Sequence, residues 1–285
     1  MYPNLLSYLA TRFDTLTSAQ IVERMKGGAV IDAQGMPLTP DAPFVPQQRV
    51  YYYRHVEDEE KIAAQEMIIF EDDLIVVADK PHFLPVAPVG RYVQETLLVR
   101  LKRRLGLADL APMHRIDLET AGLVCFTKQP HTRAAYAALF AQHKIQKRYE
   151  ALALMPENFS LKFPITIENC IMPADNFMQS AIDENGKINA RTEIHLIGVH
   201  NGVGHFLLHP QTGKKHQLRL HMASIGSPIL YDNIYPIFKP DAPRNVNAQL
   251  QLLAKHIAFV DPISGTNRSF ESKRVLLIDS SQALV

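Results

Sequence analysis

Apolar residues along this chain change period several times, and each change predicts a new element. Leu5, Leu6, Leu9 and Phe13 fall at helical spacing. Thr17-Ser18-Ala19-Gln20 has the form of a capping box; Ile21, Val22 and Met25 follow on one face, and Gly27-Gly28 ends this second helix. Short strands are predicted at Ala29–Asp32 and Arg49–Tyr53, with a Gly35-Met36-Pro37 turn after the first. Glu57–Gln65 is charged and helix-compatible, and reads as part of a linker over 56–67. Ile68–Lys80 has the pattern strand, acidic turn, strand, and Pro81, Pro85 and Pro88 then impose a loop. One helix is predicted from about Gln94 to Leu105, and another from Pro130, at its first position, to about His143. Lys147–Leu154 alternates as a strand, and strands and loops follow to the end, with a helix around Arg219. There is no internal repeat. Runs of strands with separate helices predict an α+β fold: a mainly antiparallel mixed sheet with flanking helices and a central cleft, preceded by a small N-terminal α/β module. The expected divisions are a module at 1–55, the linker, and a main domain at 68–285.

Composition narrows the class. A chain of 285 residues with 47% hydrophobic content can bury a substantial core. No apolar run approaches the roughly eighteen residues of a membrane helix. No basic residue precedes the short apolar stretch at the N-terminus, so no secretory signal is expected. The two cysteines, Cys125 and Cys170, are far apart and without zinc-type spacing, which suits buried thiols in a reducing cytoplasm. The net charge of +1 is unevenly distributed. Arg54–Asp73 holds two basic and eight acidic residues, whereas Gly90–Glu150 holds eleven basic and five acidic. A local positive excess favours phosphate binding more than the whole-chain sum does. Two oppositely charged solvated faces would have the same composition.

The positive stretch contains His114-Arg115-Ile116-Asp117-Leu118-Glu119-Thr120-Ala121-Gly122, followed by an apolar strand. This segment resembles the His-Arg-Leu-Asp-x-x-Thr-Ser-Gly signature of the RluA-type pseudouridine synthases, whose catalytic aspartate falls on Asp117. Two further blocks match in order: Lys147-x-Tyr149, and His209-Pro210 through Thr212-Gly213-Lys214-Lys215-His216-Gln217-Leu218-Arg219-Leu220-His221. Ala254-Lys255-His256 through Asp261-Pro262 and Gly265 follows the family's closing pattern. The resemblance covers about residues 66–280 and implies the pseudouridine synthase fold. One departure is Tyr231-Asp232-Asn233-Ile234-Tyr235-Pro236, where the family has Gly-Asp-x-x-Tyr-Gly. Residues 1–55 resemble the small RNA-binding module of a ribosomal small-subunit protein and tyrosyl-tRNA synthetases; an N-terminal packing appendage is the alternative.

The implied reaction cuts the N1–C1′ bond of a uridine, turns the uracil and rejoins it through C5. It is redox-neutral, so no cofactor, nucleotide or metal is expected. A carboxylate must act as nucleophile or by proton abstraction, and a neighbouring guanidinium favours its charged form. The resemblance assigns these roles to Asp117 and Arg219. A base flipped from its stack needs an aromatic platform, and Tyr149 offers a ring and a hydroxyl. Arg115 is expected to fill the space the base leaves, and His114, Lys147, Thr212 and His216 complete the expected substrate-binding set. His216 and His221, five apart, do not share a helical face as paired metal ligands would. Capping or core hydrogen bonding is their alternative role. Thr212-Gly213-Lys214-Lys215 is not a nucleotide loop, because Leu208 stands where the first glycine belongs.

The expected protein is a cytoplasmic, monomeric RNA pseudouridine synthase acting on a stem-loop of ribosomal RNA, or alternatively of transfer RNA. A catalytically inactive RNA-binding or ribosome-assembly factor is the rival. A glycosidase would need two facing carboxylates, and only Asp117 has a matched position.

Overall fold

The computed structural model describes residues 2–13, 16–52, 59–157, 159–240 and 245–277. The chain divides into two compact units, 1–58 and 59–285.

In the first unit, α1 (Leu5–Arg12) is capped by Asn4, whose side chain accepts from Ser7 N–H at 2.9 Å. The reciprocal capping box opens α2 (Ser18–Lys26): Gln20 N–H donates to the Thr17 hydroxyl, and Thr17 N–H donates to the Gln20 amide oxygen. Leu5, Leu9, Ile21, Met25 and Val30 form the core, the first four at the predicted helical spacing. The sheet here is a short antiparallel pair, β1 (Val30–Ile31) and β2 (Tyr51–Tyr52); Tyr53 lies outside the described residues.

The second unit is built on an 11-stranded sheet. Its first half holds β3 (Met67–Glu71), β4 (Ile75–Lys80), the short β5 (Ala111–Pro112) and β6 (Ala121–Thr127). Its second half holds β7 (Gln146–Leu154), β8 (Ile165–Pro173), β9 (Ser180–Asp183), β10 (Ala190–His200) and β11 (Val203–Pro210). The last strands are β12 (Leu252–Val260) and β13 (Asn267–Glu271). The order is β3-β4-β6-β12-β7-β11-β10-β8-β9, with β13 on β12 and β5 on β6. All pairings are antiparallel except β6–β12, which is parallel and brings Gly122 opposite Ala254. Gly122 takes φ +112°, and a Cβ there would lie 2.3 Å from the Ala254 carbonyl oxygen. Only glycine admits this approach, which explains why the segment after Asp117 closes on one.

Three helices flank the sheet: α3 (Leu97–Leu105), α4 (Arg133–Ala141) and α5 (Gln217–Ser224). Helix α3 starts at Leu97, not Gln94, because the Glu59 carboxylate already accepts from the N–H groups of Val93, Gln94 and Glu95. Thr96 then caps the helix. The helix predicted from Pro130 opens with a 3₁₀ turn (Pro130–Thr132) before α4. Residues 59–66 are not helical: Arg100 donates to the Ile62 and Ala64 carbonyls, and the Ile62 N–H donates to Glu95. Residues 56–58 lie outside the described residues. Among the described residues no helix is long and apolar enough to cross a membrane.

Candidate active site

Asp117 sits on the loop between β5 and β6, where Thr120 N–H donates to its carbonyl at 3.2 Å and closes a turn. Two side chains at the end of β4 and just after it hold this turn. Lys80, fully buried, donates from Nζ to the carbonyls of Pro81 at 3.0 Å and Leu118 at 3.1 Å. His82 donates from Nδ1 to the Glu119 carbonyl at 2.6 Å. Burial lowers the Lys80 pKa to about 7, against the opposing charge of Asp117. Sequence reasoning gave Lys80 and His82 no role, because the turn they hold is almost forty residues away.

Helix α5 faces this loop and carries Arg219, whose side chain is only 1% exposed. Its Nε and Nη2 donate to Asp232 at 2.7 and 2.6 Å, and Nη2 also lies 2.8 Å from Glu119 Oε2. Nη1 lies 3.7 Å from Asp117 Oδ2. Arg219 therefore does pair with Asp117, but shares its charge among three carboxylates. Burial works against the guanidinium's charge, and Asp232, Glu119 and Asp117 together outweigh it, raising its pKa. Asp232 and Glu119 are two further residues the sequence reasoning missed. Asp232 stood in the block considered only for its missing glycines, and asking what balances a buried arginine would have found it.

The Asp232 carboxylate also accepts from the N–H groups of Ile234 and Tyr235, so it shapes its own loop. Tyr231, where the family has glycine, takes φ +60°. The loop keeps the left-handed backbone that glycine adopts without strain.

Tyr149 lies on β7, between Leu208 of β11 and Ala254 of β12. Burial first, and then the charge of Asp117, raise its pKa, so the phenol keeps its proton at neutral pH. Asp117, Tyr149, Arg219, Arg115, Lys147, Thr212 and His216 line one cavity of about 100 Å³. A wider cavity of about 620 Å³ adds His114 and the 85–89 loop. All eight expected site residues thus fall on these two cavities, which share Asp117, Tyr149, Arg115 and Lys147.

They differ in what they are free to do. Arg115 is exposed and makes no side-chain hydrogen bond or ion pair among the described residues. His114 accepts at Nε2 from the Cys125 N–H at 3.1 Å and stacks on Phe140, and burial lowers its pKa to about 3. It holds the loop to β6 as a neutral ring. Lys147 donates to the Thr212 carbonyl at 2.9 Å, and burial lowers its pKa to about 8. The Thr212 hydroxyl accepts from Arg191 N–H and donates to Gln217, so it is engaged within the protein. His216, at φ +57°, lies 3.1 Å from the Tyr235 hydroxyl through Nδ1 and 4.0 Å from Asp117 through Nε2. His221 is core, bridging Thr192 and Asn169. Among the described residues no His, Cys, Asp and Glu group could hold a metal.

The family profile described as RNA pseudouridylate synthase matches residues 74–224, just over half the chain and all three sequence blocks. The chain belongs to that family. The synthase is 31% identical to a dual-specificity RNA pseudouridine synthase RluA of Vibrio vulnificus, over 71% of this chain and 80% of that one. Its likeness to the Pasteurella multocida RluA is 30%, over 72% and 91%. A ribosomal large subunit pseudouridine synthase D of Zymomonas mobilis is 28% identical over 72% of this chain and 68% of its own. Among solved structures, human RNA pseudouridylate synthase domain containing 1 superposes with a TM-score of 0.60 at 18% identity, covering 79% of the synthase and 95% of that chain. This last likeness concerns the fold: a mixed sheet flanked by few helices, with no closed barrel.

Proposed function

We propose that this synthase converts specific uridines in structured RNA to pseudouridine with Asp117 as its one catalytic carboxylate, and that ribosomal RNA is its favoured substrate, with a transfer RNA stem-loop as the alternative. The observation that carries this reading is Asp117 with Arg219 at 3.7 Å and Tyr149 on the same cavity wall. In the reaction the N1–C1′ bond breaks, a C5–C1′ bond forms, C5 loses a proton and N1 gains one, so the product is an isomer. Asp117 works on the ribose or the base, and Arg219, itself fixed by Asp232 and Glu119, sets a guanidinium beside it. Tyr149 offers a stacking face to the flipped uracil. Its phenol is protonated at neutral pH, so it takes the C5 proton only in concert with passing on its own. Arg115, unpaired and exposed, fills the gap in the RNA. His114, Lys147, Thr212 and His216 border the substrate while fixing the loops around it.

An inactive RNA-binding or assembly factor would be expected to have lost Asp117, Tyr149 or Arg219, and all three are kept. Relatives named for ribosomal and transfer RNA substrates both occur, and an RNA-binding role for residues 1–55 favours the ribosome. The protein acts as a monomer in the cytoplasm, where Cys125 and Cys170 stay reduced.

The test is incubation with bulk RNA followed by detection of carbodiimide-resistant adducts. Wild type yields pseudouridine, and Asp117→Asn yields none while binding RNA within a few-fold. Retained turnover above about one-thousandth of wild type would contradict the carboxylate's role. Mapping pseudouridines in ribosomal and transfer RNA of a deletion strain identifies the target.

A further inference from the structure

The turn between β8 and β9, residues 174–179, projects Phe177 into solvent at 80% exposure, the highest of any large hydrophobic side chain among the described residues. An exposed phenylalanine on a floppy loop would mean little. This turn is fixed, and it is fixed to the active site. Asn176 shapes it, accepting from Met178 N–H through its side chain at 3.0 Å and from Gln179 N–H through its carbonyl at 2.9 Å. Lys215, on the wall of the wider cavity, donates from Nζ to the Phe177 carbonyl itself. Ser180 donates from its hydroxyl to the Lys215 carbonyl at 3.1 Å and from its N–H to the Tyr235 hydroxyl at 2.7 Å. Tyr235 in turn touches His216, which lines the cavity holding Asp117.

The surroundings state which partner this ring suits. The neighbouring wall is the exposed Lys214-Lys215 pair, and the unpaired Arg115 lines the same cavity. An exposed aromatic ring on a turn whose backbone is tied to the cationic wall of a substrate cavity has the makeup of a single-stranded nucleic-acid platform: the ring stacks on a base while the cations hold the backbone. Met172 and Met178 of the same hairpin are exposed as well, so it is the adjoining cations and the substrate cavity that favour a base over a protein partner.

We propose that Phe177 stacks on a nucleotide flanking the target uridine and so contributes to substrate selection. The proposal rests on structured RNA being the substrate. The ring is far from the reacting atoms in role: it adds binding energy equally to the bound substrate and the transition state. Its truncation raises KM and leaves kcat unchanged.

The experiment measures kcat and KM of the full chain on the RNA fragment containing the mapped uridine, for wild type, Phe177→Ala, Phe177→Leu and Phe177→Trp, with thermal unfolding of each. Phe177→Ala raises KM by roughly 5- to 150-fold, the range stacking on one base supplies, with kcat and Tm held. Phe177→Leu keeps apolar area but not the stacking face and remains impaired, whereas Phe177→Trp restores wild-type KM. An unchanged KM in Phe177→Ala overturns the proposal and leaves Phe177 for a protein partner. A Leu variant equal to wild type overturns stacking. A fall in kcat or Tm with KM unchanged makes the ring structural and equally overturns it. Wild type inactive on all RNA would instead refute the substrate itself.

Discussion

Arg219 makes a two-point bond with Asp232, at 2.7 and 2.6 Å, and reaches Asp117 only through Nη1 at 3.7 Å. The cation is thus set in place by a buried carboxylate that does not face the substrate, and Asp117 meets a charge already oriented. Removing the guanidinium would strand Asp232, whose side chain is 1% exposed. Arg219→Leu is therefore expected to cost about 3–5 kcal/mol of stability. Arg219→Lys keeps the charge but not the fork, and should fall between the two. Urea unfolding measures both; a loss below about 1 kcal/mol for the leucine variant would contradict this coupling.

Tyr149→Phe separates platform from proton carrier. The ring still stacks, so RNA affinity should stay within about twofold of wild type. If the hydroxyl takes the C5 proton, turnover falls by a factor of about 10² to 10⁴, and a rearranged adduct that has not lost this proton accumulates. Rapid quench with chromatography of the digested RNA detects it. An unchanged rate leaves Tyr149 as a platform only.

The histidines of the site set an acid limit on the fold. Burial lowers the pKa of His114 to about 3, and of His216 and His221 to about 4, from 6.5. The unfolded chain takes up protons below about pH 6.5, while the folded chain does not until near pH 4 or 3. The contribution of these three histidines is therefore full above pH 6.5 and declines as pH falls towards 4. Asp72 and Asp261, with lowered pKa values, act only in the window below 3.8, so they do not confuse the test. The urea midpoint should drop between pH 6.5 and pH 5, and ring ¹⁵N shifts should show all three imidazoles neutral at pH 5.5. A His114 that titrates near 6.5 would be incompatible with its bond from Cys125.

The first unit is expected to supply binding energy rather than chemistry. Deleting residues 1–58 should raise KM and leave kcat nearly untouched on a minimal stem-loop. The loss should grow at high salt, where the remaining phosphate contacts are screened. A folded truncation with reduced kcat and unchanged KM would make that unit a scaffold instead.

Local patterns in the chain already determined a good part of this protein. The Thr17–Gln20 capping box, the strand–acidic turn–strand at 68–80 and the alternation at 147–154 depend on neighbours a few residues apart, so they could be read directly. The same holds for Asp117 on its loop, since its motif and the closing glycine are contiguous. Tertiary structure alone decided what lies far apart in sequence. Glu59 took the N–H groups of Val93 to Glu95 and moved the start of α3; β6 and β12 paired in parallel; His114 became an acceptor for Cys125 rather than a free imidazole. Above all, it decided that Arg219 answers to Asp232 and Glu119 as well as Asp117. Periodicity reports which face of an element is buried. The partner of a buried charge is chosen by which loops the packed sheet brings together, because a charge removed from water must find its counter-charge wherever the fold places one.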